Sequence, residues 1–147
     1  MADIVLNTNA FRLFLDEGII NRIVRKRVHI FVAKCAWTKE LKGVFHHPPH
    51  LINLLCRSAK KLGKTFHIKK VNKNILPNTL KRELVRSHAG NCDMEIANLA
   101  YDRCRRSGQR VYLISNDPHF QNRSLFGRYR IDVKTLEQFK ATFNCAV

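Results

Sequence analysis

Residues 111–120 read VYLISNDPHF, and this stretch decides the fold. Its first part, Val111 to Ser115, is apolar and rich in side chains that favour β-structure, so it predicts a buried strand. Its second part, Asn116-Asp117-Pro118, predicts a turn that opens a short helix. A buried strand that ends in polar side chains indicates an open α/β sheet, in which ligands bind beyond the carboxyl ends of the strands.

Strands and helices alternate on both sides of this segment. Further strands are predicted at Asp3 to Leu6, Val28 to Ala33, Thr65 to Val71 and Arg130 to Val133. Helices are predicted at Ala10 to Leu15, Thr38 to Phe45, Leu51 to Leu62, Leu76 to Ser87, Cys92 to Ser107 (with Asn91 as N-cap and Gly108 as its stop) and Leu136 to Phe143. This order predicts a single α/β domain over residues 1–147, with a mostly parallel sheet covered on both faces.

The charge of the chain predicts a polyanionic partner. The sequence has 27 Lys and Arg against 11 Asp and Glu in 147 residues, a formal charge of +16. RNA fits better than a membrane surface, because the cations are spread along the chain and no run of about 18 apolar residues exists. The candidate RNA contacts are Arg22, Arg25, Lys26, Arg27, Arg57, Lys60, Lys61, Arg103, Arg105, Arg106 and Arg123.

The cysteines and the first residues of the chain predict a cytoplasmic protein. The opening MADIVLNTNA has neither a basic region nor a cleavable apolar stretch, so it does not resemble a signal peptide. The five cysteines are odd in number and form no C-x-x-C motif, which argues against a disulfide framework and a structural zinc site. We therefore expect reduced, mostly buried cysteines that are not activated nucleophiles.

Acidic residues are scarce, and their placement is informative. Asp93, Glu95, Asp102 and Asp117 fall within 25 positions of one another. Asp117 at a strand end, Asp93 in the first turn of a helix and Glu40 on an earlier helix predict a cluster that holds Mg²⁺ or Mn²⁺, which prefer oxygen ligands. The competing interpretation is that Asp93 complements a helix dipole and Asp117 caps a turn.

Three separate pieces resemble the PIN domain family of metal-dependent ribonucleases. They are IVLNTNAF at residues 4–11, NCDMEIANLA at residues 91–100 and VYLISNDPHF at residues 111–120. The resemblance covers about the whole chain. It implies a three-layer α/β/α sandwich in which clustered acids hold one or two Mg²⁺ or Mn²⁺ ions for hydrolysis of RNA phosphodiester bonds.

The resemblance also implies a set of site residues. The catalytic and metal-binding positions are Asn7, Glu40, Asp93 and Asp117, with Thr8 and Asn116 as polar neighbours. Glu83 is an alternative to Glu40. Glu95 lies two positions from Asp93, roughly 200° around a regular helix, so it is expected to be a supporting or exposed residue.

Two positions depart from the family pattern. Asn7 stands where the family has Asp, and an amide brings no negative charge to a metal. His119 stands where many relatives have a further acid. Asn7 is either an exchange engineered to silence the nuclease, which the retained acids favour, or the mark of a natural domain that only binds.

These departures leave two functions open. The first is an Mg²⁺- or Mn²⁺-dependent endoribonuclease, impaired by Asn7. It is either an RNA-processing enzyme or a toxin that pairs with an antitoxin, and many such toxins form homodimers. The second is a non-catalytic RNA-binding module that kept the fold and lost the chemistry.

Overall fold

The computed structural model describes residues 2–38 and 49–143. The strands are β1 (Asp3–Leu6), β2 (His29–Ala33), β3 (Phe66–Lys69), β4 (Val111–Ile114) and β5 (Ile131–Lys134). They form one five-stranded sheet in the order β3-β2-β1-β4-β5, and every neighbouring pair is parallel. The predicted α/β class with a parallel sheet is therefore confirmed.

Helices cover both faces of the sheet. They are α1 (Arg12–Leu15), α2 (Glu17–Lys26), α3 (Pro49–Leu62), α4 (Asn78–Arg86), α5 (Asn91–Ser107), α6 (Arg123–Gly127) and α7 (Leu136–Thr142); residues 34–38 are also helical. Helix α5 packs across the central strands, and α1, α2 and α3 pack against one another. The result is a three-layer α/β/α sandwich. Among the described residues, none of the helices combines the length and apolarity needed to cross a bilayer.

The core explains why the strands read as apolar runs. All four residues of β1 are buried, since a central parallel strand is covered on both faces. Phe14, Phe120, Phe126 and Phe139 are fully buried and supply most of the aromatic volume of the core. Each aromatic ring buries about 150–250 Å², so these four side chains anchor the helices on the sheet.

Helix α5 differs from its predicted bounds at one end only. The helix includes Asn91, and its N-cap is Gly90, whose N–H donates to the Asp93 carboxylate at 3.2 Å. The prediction that Asn91 is the N-cap was therefore wrong by one residue. The predicted stop at Gly108 is confirmed, because this glycine has φ 67°, a left-handed conformation that ends helices. The predicted helix Thr38 to Phe45 lies, after residue 38, outside the described residues.

The expectation that the cysteines are reduced and mostly buried was wrong for part of the set. Cys35, just after β2, forms a disulfide with Cys92 at the start of α5, with 5.7 Å between their Cα atoms. A search for closely spaced cysteines misses this pair, because 57 positions separate them. Cys56 is free and exposed. Cys104 is buried, and burial raises the pKa of its thiol to about 11, so it is not a thiolate nucleophile at neutral pH.

A candidate metal centre at the carboxyl edge of the sheet

The order of the strands creates a crevice beside β1. The chain runs outward from β1 through β2 to β3, and then returns to β4 on the other side of β1. The segments that follow β1 and β4 therefore leave the sheet in opposite directions, which is the usual place for a binding site in an open α/β sheet. A cavity of about 370 Å³ lies there. Its lining residues are Asn7, Thr8, Asn9, Gly90, Asn91, Cys92, Asp93 and Asp117.

Asn7 joins the two strands that bound the crevice. Its side chain is buried; Nδ2 donates to Ser115 Oγ at 2.7 Å, and Oδ1 accepts the Thr8 N–H at 2.7 Å. Its own N–H donates to the Ile114 carbonyl at 3.0 Å, which continues the ladder between β1 and β4. Both ends of the amide are thus held in place. Asn7 sits in the crevice as a fixed, uncharged group.

The two carboxylates each use one oxygen for the backbone. Asp117 Oδ1 accepts the His119 N–H at 2.9 Å, and Asp93 Oδ2 accepts the Gly90 N–H at 3.2 Å. Both residues therefore cap the backbone, as the competing interpretation of the sequence predicted. Among the described residues, no hydrogen bond engages Asp93 Oδ1 or Asp117 Oδ2. Capping fixes the direction of each carboxylate and leaves an oxygen available to a cation.

His119 completes the cluster, and sequence reasoning counted it only as a missing acid. Its Nε2 lies 3.8 Å from Asp93 Oδ2 and 3.6 Å from Asp117 Oδ1. One donor atom from each of the three side chains can be chosen so that all lie within 4.8 Å of one another. The sequence held a signal, since His119 follows Asp117 by two residues, at the position where the resemblance to the PIN family implies a further acid.

Ser87 connects His119 to the end of helix α4. The Ser87 hydroxyl donates to the Leu84 carbonyl at 3.0 Å. Ser87 Oγ lies 3.3 Å from His119 Nδ1 and accepts from it when Nδ1 carries the proton. In that tautomer of a neutral His119, the lone pair of Nε2 faces Asp93 and Asp117. A tautomer of this kind orients a histidine ligand towards a metal.

Other predicted site residues lie elsewhere or in supporting positions. Glu40 lies outside the described residues. Glu83 pairs with Arg86 on the surface of α4 and is not among the described residues that line the cavity. Glu95 accepts the Cys35 N–H at 3.0 Å, so it braces the start of α5 against the segment after β2. Asn116 is exposed, and its Oδ1 accepts the Leu136 N–H at 3.2 Å.

The candidate RNA contacts divide into exposed and engaged cations. Arg103 is engaged: its guanidinium makes two bonds to Asp3 Oδ2, at 3.0 and 3.1 Å, and lies 4.3 Å from the centre of the Phe31 ring. Arg103 therefore has an internal partner, and its contact with RNA stays a prediction. Arg106 bonds both oxygens of Asp102, although it stays largely exposed. Arg22 is half-buried. The other candidates are exposed to solvent: Arg25, Lys26, Arg27, Arg57, Lys60, Lys61, Arg105 and Arg123.

Comparisons with known proteins support the fold and name no function. No family model matches the sequence, and no curated protein is similar to it. Among solved structures, this chain is similar to the crystal structure of PAE2754 from Pyrobaculum aerophilum, with a TM-score of 0.54 and 12% sequence identity. The match covers 99% of this chain and 98% of that chain. At this level of identity the likeness concerns the arrangement of the backbone.

Proposed function

We propose that this protein is a metal-dependent endoribonuclease of the PIN type, whose activity is lowered by Asn7. One observation carries the proposal: Asp93, Asp117 and His119 offer ligand atoms within 4.8 Å of one another, beside a cavity at the carboxyl edge of the sheet. This acidic cavity belongs to a chain with a formal charge of +16. A cation site within a cationic protein suits metal-assisted hydrolysis of phosphodiester bonds, because the ion activates water and the cationic surface attracts the RNA.

The donor set fits Mn²⁺ better than Mg²⁺. Carboxylates suit both ions, whereas an imidazole nitrogen suits later and softer divalent metals. Asp93, Asp117 and His119 would hold the ion. A bound divalent ion would supply a water of lowered pKa and would offset the charge of the scissile phosphate. Ser87 would keep the lone pair of His119 directed at the site, and Asn7 would position the loop without adding charge.

The exposed cations of α2 and α3 would hold the RNA. Arg25 and Lys26 lie on α2, and Lys60 and Lys61 lie on α3. The two helices pack against each other, and Lys61 Nζ donates to Asn21 Oδ1 at 3.3 Å across their contact. These four exposed cations therefore belong to helices in contact, and each phosphate that one of them bound would release counterions.

The proposal is tested with end-labelled RNA and Mn²⁺. Residual cleavage should leave 5′-phosphate and 3′-hydroxyl ends and should stop on addition of EDTA. Asp117→Asn should lower Mn²⁺ affinity by about tenfold, because it removes a ligand charge. Glu137→Gln is the control that loses the same charge, since Glu137 is exposed on α7 and does not line the cavity. Cyclic phosphate ends, or cleavage that survives EDTA, would contradict the mechanism.

A second prediction concerns the identity of the ion. His119→Asp should raise Mg²⁺ affinity relative to Mn²⁺ by about tenfold, because a hard oxygen replaces the imidazole nitrogen. Titration of each ion by calorimetry measures the ratio directly. Ser87→Ala should weaken Mn²⁺ by a smaller factor, because it frees the tautomer of His119 without removing a ligand. An unchanged ion preference in His119→Asp would mean that His119 does not touch the metal.

A non-catalytic RNA-binding module is the second candidate, and Asn7 favours it. The amide is buried and bonded at both ends, so it is integrated into the packing between β1 and β4. Asn7 therefore links the two strands, as an aspartate could. It leaves the candidate metal site with one negative charge fewer than an aspartate would provide. The two candidates make different predictions for Asn7→Asp.

A further inference from the structure

A second cavity lies at the opposite end of the sheet and is lined by arginines. It has a volume of about 270 Å³. Its lining residues are Arg110, Arg123, Gly127, Arg130, Ile131 and Asp132. Arg110 and Arg130 directly precede β4 and β5, whereas Ser115 to Asp117 of the metal centre follow β4. Six residues of extended chain separate Arg110 from Asn116, a distance of about 20 Å.

The backbone holds like charges next to each other in this cavity. Val111 pairs with Ile131 in the sheet, so Arg110 and Arg130 stand side by side just before that pair. Arg130 is firmly placed: its carbonyl accepts the Val111 N–H at 2.9 Å, and its Nη1 donates to the Gly108 carbonyl at 2.9 Å. Neighbouring like charges on paired strands destabilise a sheet. An anion between the guanidinium groups would remove that cost.

The cavity has more positive charge than its own carboxylate neutralises. Three arginines and one carboxylate line it; that carboxylate, Asp132, lies 3.9 Å from Arg110 Nη1 and 3.7 Å from Lys134 Nζ. These separations are typical of loose ion pairs. Most N–H donors of the three guanidinium groups therefore make no hydrogen bond to the described residues. Guanidinium groups bind phosphate oxygens through paired, charge-assisted hydrogen bonds, which gives phosphate an advantage over monovalent anions.

Another basic cavity of the described chain shows the contrast. It has a volume of about 230 Å³, and Lys69, Lys70, Arg103 and Arg106 are among its lining residues. There the two arginines are already bonded to carboxylates, Arg103 to Asp3 and Arg106 to Asp102, at 3.0 to 3.1 Å. The Arg110 cavity lacks such close internal partners among the described residues.

We infer that the cavity of Arg110, Arg123 and Arg130 binds a phosphate group. The phosphate has two possible sources, an RNA chain or free phosphate and small phosphorylated molecules. The site is separate from the metal centre, so the phosphate inference stands apart from the proposed nuclease activity. Only the assignment of the phosphate to RNA rests on the proposed function. If the source is RNA, the strand continues from the acidic cavity past β4 to the far end of the sheet.

The test compares two double variants that lose the same charge. Arg110→Gln with Arg123→Gln removes two cavity arginines, and Arg82→Gln with Arg86→Gln removes two exposed arginines of α4, which are not among the candidate RNA contacts. Calorimetry at low salt with inorganic phosphate should show that the cavity variant binds about tenfold or more weakly, while the control stays within about twofold of the parent. Thermal unfolding checks that both variants are folded. Equal phosphate affinity in the parent and both variants would overturn the inference.

A pair of RNAs then identifies the source. The two oligonucleotides share one sequence and are long enough to reach from the metal centre to the arginine cavity. One carries a 5′-phosphate and the other a 5′-hydroxyl. Weaker binding of either RNA by the cavity variant than by the control assigns the phosphate to RNA, and a loss confined to the 5′-phosphate form assigns it to the chain end. RNA affinity equal to that of the control, with phosphate affinity lost, assigns a free or small-molecule phosphate.

Discussion

Replacement of Cys35 and Cys92 by serine should lower the free energy of unfolding by about 4 kcal/mol. The disulfide joins residues 57 positions apart, and closing a loop of that length removes much of the conformational entropy of the unfolded chain. Urea denaturation of the oxidised protein and of the double variant measures the difference. The same loss should follow chemical reduction of the parent protein, because reduction opens the same loop.

Cys56→Ser is the control for this measurement. Cys56 is exposed and unpaired, so its replacement should change stability by less than about 0.5 kcal/mol. Identical denaturation midpoints for the oxidised parent and the double variant would show that the disulfide contributes nothing. In that case the hydrogen bond from the Cys35 N–H to Glu95 would be the main link between this segment and α5.

The disulfide is also adjacent to the candidate metal centre. Cys92 lines the acidic cavity and directly precedes Asp93, whose carboxylate is fixed by the N–H of Gly90. Loss of the covalent link frees the first turn of α5, and ordered ligands bind a metal more tightly than mobile ones. The double variant should therefore bind Mn²⁺ more weakly than Cys56→Ser does. The redox state of the protein is thus a condition that any activity assay has to hold constant.

The fold was predictable because its signals are local. Val111 to Ile114 is apolar on both faces, as a central parallel strand requires, and Gly108 provides the left-handed residue that ends α5. Such features depend on a few neighbouring residues. The bounds of the outer elements were less accurate, since β3 is a half-exposed edge strand whose pattern is weak.

The parts that sequence reasoning missed depend on partners far away in the chain. The ion pair between Arg103 and Asp3 was not predicted, because the two residues are 100 positions apart. Cys35 and Cys92 are brought together only by the packing of α5 on the sheet. Asp93 and Asp117 were expected to converge, because the order of predicted strands and helices places both at the carboxyl edge of the sheet. His119 was not expected as a ligand there. Its partner Ser87 precedes α5, whereas His119 follows α5, so their contact is not visible in the sequence.

Asn7→Asp should raise Mn²⁺ affinity by about 10- to 100-fold and RNA cleavage by on the order of 100-fold. The new carboxylate would keep the hydrogen bond from the Thr8 N–H, and the Ser115 hydroxyl would turn to donate to it. Ser115 Oγ would still accept the Asp117 N–H. The exchange therefore adds a charge to the metal centre without removing a described hydrogen bond from Thr8 or Asp117.

Stability supplies an independent measure of the same change. Without metal, a buried carboxylate beside Asp93 and Asp117 repels its neighbours, so Asn7→Asp should lower the melting temperature. Saturating Mn²⁺ should reverse the loss, because an ion that binds only the folded state stabilises it. The parent protein should show a smaller response to Mn²⁺. Calorimetric unfolding with and without Mn²⁺ measures both effects.

Asn9→Asp distinguishes ligation from simple charge. Asn9 is exposed and lines the same cavity two residues further on, so its replacement adds the same charge at the rim. A general electrostatic gain would appear in both variants, whereas a gain through direct ligation would appear only in Asn7→Asp. Tighter Mn²⁺ binding without RNA cleavage in Asn7→Asp would assign the chain to the RNA-binding modules. Unchanged Mn²⁺ affinity would mean that the side chain at position 7 does not contact an ion held by Asp93, Asp117 and His119.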